Sequence, residues 1–368
     1  MVTNRIKGAD ARKGVSVNNG RRHRLSKRTV LVLLAILVPL IGGGTACARM
    51  SYSLLDIDLD PVEVPDGYYQ DVAWLESQLL AMEYMSSPDT HNLKTRLMIL
   101  NMDSGDNHLL PDEISSNCQE TRYGRINRLP NELLGYLWEC IPHLGIARDF
   151  RLHQWDQTKQ VDQELYRYPV PFYPTAFSFA KEMGQWLQEE TGDGLFNKLH
   201  YVEPKMEPVR LLESNFARAG HPAWLPDGQI IFAGTPTLPE SKTNLFSGMP
   251  GITSTLQQPW NIYLTDLNSL LSGHVGKDQI LLSGIQYIEA VKTSPDGQYV
   301  SFLGAIDGNQ GLWIYRLESR ELARLWAGFG PYDWSPDGKR IIVLVGDPDA
   351  GIFRGQPAQI ELPETLSE

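Results

Sequence analysis

Three segments of the chain repeat one frame, and that frame limits what the chain can become. They are Ala223-Trp224-Leu225-Pro226-Asp227-Gly228-Gln229-Ile230-Ile231-Phe232, Lys292-Thr293-Ser294-Pro295-Asp296-Gly297-Gln298-Tyr299-Val300-Ser301-Phe302 and Asp333-Trp334-Ser335-Pro336-Asp337-Gly338-Lys339-Arg340-Ile341-Ile342-Val343. Each reads as a short strand, a tight turn and a β-branched or aromatic strand. Proline presets φ at the first central turn position and aspartate suits the second. Glycine then accepts the left-handed conformation that rejoins the ladder. One such hairpin carries little information, but three in one frame specify a repeat architecture.

Weaker copies lie upstream. Arg128-Leu129-Pro130-Asn131-Glu132-Leu133-Leu134-Gly135-Tyr136 keeps the spacing with Asn131-Glu132 in place of Asp-Gly, and Ala73-Trp74-Leu75-Glu76-Ser77-Gln78-Leu79-Leu80 is shorter. Phe177-Ser178-Phe179 through Trp186-Leu187 is the most degenerate. A second hairpin follows each first one, clearest in Leu312–Leu317 with Glu321–Leu325. Its counterparts are Arg96–Met102 with Asn107–Leu110, Phe150–Trp155 with Val161–Leu165, Phe196–Val202 with Val209–Leu212, and Trp260–Leu264 with Gln279–Leu282. Two hairpins make a four-stranded blade. Inner turns near 76, 130, 182, 227, 296 and 337 predict an all-β, six-bladed β-propeller of four-stranded antiparallel blades over residues 67–368.

The Pro-Asp-Gly frame resembles the TolB-type propeller repeat, a WD-like family marked by a Ser-Pro-Asp-Gly turn. The resemblance is specific over residues 220–346 and implies the propeller fold. The last blade lacks a clear outer hairpin, since after Val345 only Ala358–Leu362 reads as a strand. Residues 49–66 form a linker whose alternating segment Tyr52–Leu59 is expected to supply the missing strand and latch the ring. A calcium reading of Asp56, Asp58 and Asp60 meets Pro61 where such a loop needs glycine, so a solvated face is expected.

The N-terminus reads as an export signal. A basic n-region (1–28) precedes a hydrophobic signal or membrane anchor (29–48), whose apolar core Val30–Ile41 runs into Gly42-Gly43-Gly44-Thr45-Ala46-Cys47-Ala48. The core is shorter than the ~20 residues of a membrane span. Three readings stay open: a lipoprotein with Cys47 lipidated, an uncleaved anchor, and simple secretion. All place the rest of the chain outside the cytoplasm, membrane-tethered or secreted.

Charge follows the same division. Residues 1–48 carry nine Lys/Arg against Asp10 alone, leaving 24 basic and 43 acidic residues, about −19, on the remainder. Such an acidic body repels nucleic acid and anionic lipid, so no nucleic-acid partner is expected. Apart from Cys47 there are only Cys118 and Cys140, a disulfide candidate in an oxidising compartment. Counting outward from Pro130-Asn131 puts them about three residues out of register. Paired and free thiols are therefore both open.

In an up-and-down blade the Pro-Asp-Gly turns share one face with the third-to-fourth turns. The opposite face gathers the long connections 84–94, 141–149, 188–194, 234–259, 304–311 and 346–357, where recognition is expected. Candidate binding residues there are His91, His143, Arg148, Asp149 and Glu190, followed by Trp260, Asp307, Asn309, Asp349 and Arg354. Trp74, Trp224 and Trp334 precede inner turns and are expected to pack between blades.

No Gly-x-Ser-x-Gly elbow, His-Glu-x-x-His, Cys-x-x-Cys or Walker-type loop occurs in the mature body. The sequence thus predicts a non-catalytic, monomeric binding or scaffold protein of the cell envelope, without metal or cofactor. Its expected partner is an envelope protein, a peptide or a glycan. The alternative is a carbohydrate-active enzyme, a polysaccharide lyase or glycoside hydrolase using loop carboxylates.

Overall fold

The Pro-Asp-Gly turns fold as their chemistry requires in the computed structural model. Gly228, Gly297 and Gly338 sit at φ of 88°, 73° and 71°. The carboxylates of Asp227, Asp296 and Asp337 accept the backbone N–H two residues on, at 2.9, 3.0 and 3.0 Å. Ser294 and Ser335 add a second clasp, their hydroxyls donating to Asp296 and Asp337 while accepting the N–H of Tyr299 and Arg340. The upstream copy with Asn131-Glu132 reaches the same reversal by placing both residues at positive φ, 62° and 60°. Asparagine tolerates that region, which is why this copy can dispense with glycine.

The structure describes residues 51–85, 95–111, 118–142, 148–169, 172–180, 184–191, 197–212, 215–237, 258–346 and 355–363. Two short strands come first, β1 (Ser53–Leu54) and β2 (Asp60–Pro61). The first hairpin pair is β3 (Tyr68–Glu76), β4 (Leu79–Met85), β5 (Arg96–Asn101) and β6 (Asn107–Leu109). Next come β7 (Cys118–Arg128), β8 (Leu134–Pro142), β9 (Asp149–Asp156) and β10 (Val161–Arg167). They are followed by β11 (Pro174–Phe179), β12 (Trp186–Thr191), β13 (Asn197–Val202) and β14 (Val209–Arg210).

The three strongest repeats lie in the last strands. β15 (Phe216–Trp224), β16 (Ile230–Pro236), β17 (Trp260–Thr265) and β18 (Ile280–Ile285) form one sheet, with a short helix α1 (Leu267–Ser272) inside its outer turn. Asp266 caps α1 by accepting Ser269 N–H, and Gly273 ends it at φ 71°. β19 (Tyr287–Thr293), β20 (Tyr299–Ile306), β21 (Asn309–Arg316) and β22 (Leu322–Trp326) form the next. The last are β23 (Tyr332–Trp334), β24 (Arg340–Gly346) and β25 (Gly355–Glu361).

These strands make three four-stranded antiparallel sheets, a five-stranded sheet and an eight-stranded one, in a β-propeller. The eight-stranded sheet joins β25 to β3 through the single pair Gly355–Tyr69. The strand completing β23–β25 is β2, with Asp60 opposite Gln359 and Pro61 opposite Ala358. Proline is tolerated there because its missing N–H belongs to an outer edge. Tyr52–Leu59, expected in that role, instead covers the neighbouring edge: β1 pairs in parallel with β22, and Arg324 reaches Asp56 at 2.9 Å. The N-terminal segment thus protects two edges. Asp56, Asp58 and Asp60 are all exposed, as a solvated face requires.

The core lies in layers between adjacent sheets, so both faces of a sheet are apolar and β20 is buried along its whole length. Tyr123, Tyr136 and Trp138 pack against Ala73, Leu97 and Ile99 across one such layer. Leu129, Leu137 and Leu152 meet Phe177, Trp186 and Val202 across the next. Trp74, Trp138, Trp186 and Trp313 are fully buried, each worth roughly 4–6 kcal/mol of transfer free energy.

Polar links stitch the innermost strands together. Asp71 accepts Ile126 N–H at 2.9 Å, Asn127 donates to Phe177 O at 3.4 Å, and Ser178 accepts Trp224 N–H at 3.1 Å. Thr293 donates to Trp224 O at 2.9 Å, and Lys292 meets Asp333 at 2.7 Å. Asp333 then accepts Trp74 N–H at 2.8 Å. The circuit β3, β7, β11, β15, β19, β23 is therefore closed by side chains.

Cys118 and Cys140 form a disulfide with Cα atoms 5.4 Å apart. Register shifts in β7 between Cys118 and Glu120 and between Gly124 and Asn127 bring them within reach despite the offset in a simple count.

Candidate functional site

The innermost strands surround a cavity of about 1270 Å³. Its lining includes Arg148, Thr191, Asn197 and Trp260, which flank the second-to-third-strand connections, so it opens onto the face carrying them. It also includes Leu225, Pro226, Ser294 and Pro295 beside the inner turns, so it runs the length of the inner strands.

Bulges decide which side chains enter. β3 shifts register between Tyr69 and Asp71, β7 between Gly124 and Asn127, and β11 between Pro174 and Ala176. β15 shifts between Gly220 and Ala223, and β19 between Ile288 and Ala290. A bulge leaves a residue unpaired and re-aims it. Here the bulged stretches supply Gln70, Arg125, Thr175, His221 and Glu289, and all five line the cavity. Arg125 and His221 stand at positive φ, 53° and 51°.

Two clusters of ionisable groups result. Glu189, only 3% exposed, accepts four donors. Its Oε1 takes Thr175 Oγ1 at 3.0 Å and Asn197 Nδ2 at 2.5 Å, while Oε2 takes His221 N–H at 2.7 Å and faces His221 Nδ1 at 3.1 Å. Gly220 is needed beside it, because a Cβ there would lie 2.7 Å from Oε2. A carboxylate oxygen only accepts, so His221 Nδ1 carries a proton toward Glu189, while Nε2 lies on the far side of the ring.

The second cluster holds Asp71, Glu83, Glu289 and Arg125. Burial, reinforced by the nearby Asp71, pushes Glu83 up to about 8 against the opposing pull of Thr95, Arg125 and Arg122. Burial also raises Asp71, against Lys292, Arg125 and two backbone N–H groups. Glu289 is raised by burial too, opposed by Tyr287, Arg125 and His221. Glu83 as a neutral carboxyl donates as well as accepts, so this wall can hold either kind of ligand group.

Arg148 lines the cavity while paired with Glu139 at 2.7 Å, and Trp260 lines it at 6% exposure. Four other candidates sit differently from the sequence expectation. Asp149 is in β9, bridging Arg151 and Arg167 at 2.9 Å each. Glu190 is in β12, 2.9 Å from His200 Nε2. The expected loop 304–311 is a two-residue turn, with Asp307 and Gly308 at φ 49° and 80°. Asn309 donates to Tyr52 Oη at 3.0 Å and so serves the latch. His91, His143, Asp349, Arg354 and Cys47 lie outside the described residues. Trp224 spans two sheets as expected, its indole donating to Ser178 O at 3.1 Å.

Arg125, Arg218, His221 and Glu289 escape sequence reasoning because their strands read as core strands. The available signal was a glycine before a charged residue inside such a strand, Gly124-Arg125 and Gly220-His221, which marks a bulge. Among the described residues no cluster suited to a metal occurs, and no helix is long and apolar enough to cross a membrane.

No protein-family model matches the sequence, and no curated protein matches it. Among solved structures, the chain is similar to an α-L-arabinanase from Penicillium chrysogenum complexed with arabinobiose, with TM-score 0.51, 11% identity, and 85% of this chain and 99% of that one covered. It is similar to an oligogalacturonate lyase in complex with manganese, with TM-score 0.50, 11% identity, and 87% and 100% covered. It also matches TolB from Acinetobacter baumannii at TM-score 0.49 and 12% identity over 81% of this chain, and spans 65% of that protein's length. The likeness to the arabinanase and the lyase shows a β-propeller fold.

Proposed function

We propose that this chain is a non-catalytic binding or scaffold protein of the cell envelope, a six-bladed propeller that recognises a protein, peptide or glycan where its central cavity opens onto the long-loop face. The count of six takes the eight-stranded sheet as two blades joined at Gly355–Tyr69. One observation carries the reading: bulges on different inner strands deliver Gln70, Arg125, Thr175, His221 and Glu289 into one cavity. Conserving strand pairing would have been simpler, and bulges gathered at one cavity are a device for presenting side chains. The disulfide and the export segment support an extracytoplasmic setting, reached as a lipoprotein, through a signal anchor or by secretion. Photo-crosslinking the full chain in its membrane tests it. A crosslinker at the exposed Tyr287 on the cavity rim should capture a discrete partner, and one at exposed Met206 should not. Capture only from Met206 refutes the site.

A second reading, a carbohydrate-active enzyme, is favoured by one feature. Glu83, neutral near pH 7, shares the cavity with other carboxyls, the arrangement a general acid needs. Turnover of a glycan, with divalent metals supplied, that disappears in Glu83→Gln supports this reading over binding alone.

A further inference from the structure

Arg218 is buried without an anion. It is 8% exposed, lines the cavity, and has no carboxylate within ion-pair distance among the described residues. Its Nη2 donates to Thr235 Oγ1 at 3.1 Å and to Gln258 O at 2.8 Å. Among the described residues its fully buried Nε has no partner and no hydrogen bond engages Nη1. The guanidinium lies over the Trp260 ring, Cζ 4.3 Å from the centroid, which fixes its plane. Burial alone pulls its pKa down, with no carboxylate opposing. Proteins seldom leave such a charge uncompensated, because removing it from water is costly unless a counter-charge meets it.

The neighbouring carboxylate does not fill that role. Glu189 spends its oxygens on Thr175, Asn197 and His221. His221 also faces Trp260, ring centroids 5.9 Å apart, and among the described residues no hydrogen bond engages its Nε2. A guanidinium and an imidazole thus flank one indole on the cavity wall.

We propose that Arg218, Trp260 and His221 form a subsite for an oxyanion group of the ligand, Arg218 binding the anion and His221 Nε2 hydrogen-bonding an adjacent hydroxyl. This rests on the cavity being the binding site and specifies the chemistry it takes. The N–H groups of Nη1 remain to meet an oxygen of a carboxylate, and equally one of sulfate or phosphate. The imidazole nitrogen beside it favours a carboxylate carried on a hydroxylated ring.

Thermal unfolding and tryptophan fluorescence of the purified full chain test this with sodium glucuronate, acetate, sulfate and phosphate. Glucose and sodium chloride at matched ionic strength are the controls. Glucuronate should raise the melting temperature saturably and outdo acetate, while both controls do nothing. Sulfate or phosphate exceeding both carboxylates assigns the subsite to those anions instead. Arg218→Gln should weaken the anion response at least tenfold. Without anion it should melt at or above the parent temperature, since the uncompensated charge is gone. A variant that melts lower yet keeps the full anion response overturns the proposal. Should Arg218→Gln not fold, His221→Asn serves, and must weaken glucuronate more than acetate. Absence of any anion effect while the Tyr287 crosslink persists refutes the oxyanion chemistry alone. Loss of that crosslink as well refutes the binding site.

Discussion

Asp333 Oδ2 accepts the backbone N–H of Trp74 at 2.8 Å across 259 residues of sequence, and its Oδ1 holds Lys292 at 2.7 Å. One half-buried carboxylate thereby ties the last inner strand to the first and to the one before it. Asp333→Ala should cost about 2–4 kcal/mol in urea unfolding, since it strands an N–H and a partly buried ammonium. Asp333→Asn keeps an acceptor and should cost less. Equal losses in the two variants would mean that only the charge matters.

The latch is open to deletion. Removing residues 51–62 exposes β25 and the outer edge of β22. Two unprotected edges invite pairing with other chains. The shortened protein should melt lower and run as higher oligomers in size exclusion, whereas a monomer of unchanged melting temperature would show the latch to be ornamental.

The disulfide closes a loop of 22 residues between Cys118 and Cys140. Replacing both by serine should destabilise the fold by about 2–4 kcal/mol, chiefly by freeing the unfolded chain. Urea midpoints with and without reductant measure it. The parent should fall to the variant's value on reduction, and the variant should not respond.

Glu83 gives stability a sign with pH. Its folded pKa is near 8 against an ordinary 4.5, so the folded state holds a proton the unfolded state has released over that window. Its contribution is complete below about 4.5 and is lost as the pH rises through 8. Glu83→Gln should match the parent near pH 4.5 and exceed its stability increasingly toward pH 8. Parallel pH profiles for the two proteins would place Glu83 in a solvated setting instead.

Gly220→Ala probes the Glu189 cluster. The new Cβ would sit 2.7 Å from Glu189 Oε2, in the space the carboxylate needs to hold His221. A loss of about 1–3 kcal/mol is expected, within the range for overpacking a buried site. The His221 ring resonances should shift in the NMR spectrum. Unmoved resonances would show that the carboxylate relocates without disturbing the imidazole.

The sequence by itself determined the hairpins, and the reason is locality. Pro226-Asp227-Gly228 and its two copies dictate their turns through φ preferences and a carboxylate reaching two residues along the chain. Alternation then marks the strands, and a repeated frame implies sheets packed side by side. What the sequence left open depended on register between distant strands. A bulge at Arg125 or His221 exists because the inner strand is longer than its partner's pairing allows, and only the assembled sheet reveals which residue is displaced. The same holds for Asp60–Pro61 replacing Tyr52–Leu59 at β25, for the tight turn at Asp307-Gly308, and for the Cys118–Cys140 bond. Arg218 reads in the sequence as one more charge near a strand end. Its burial beside Trp260, with no carboxylate in ion-pair distance among the described residues, is a property of the assembled inner strands, which decide what water can reach.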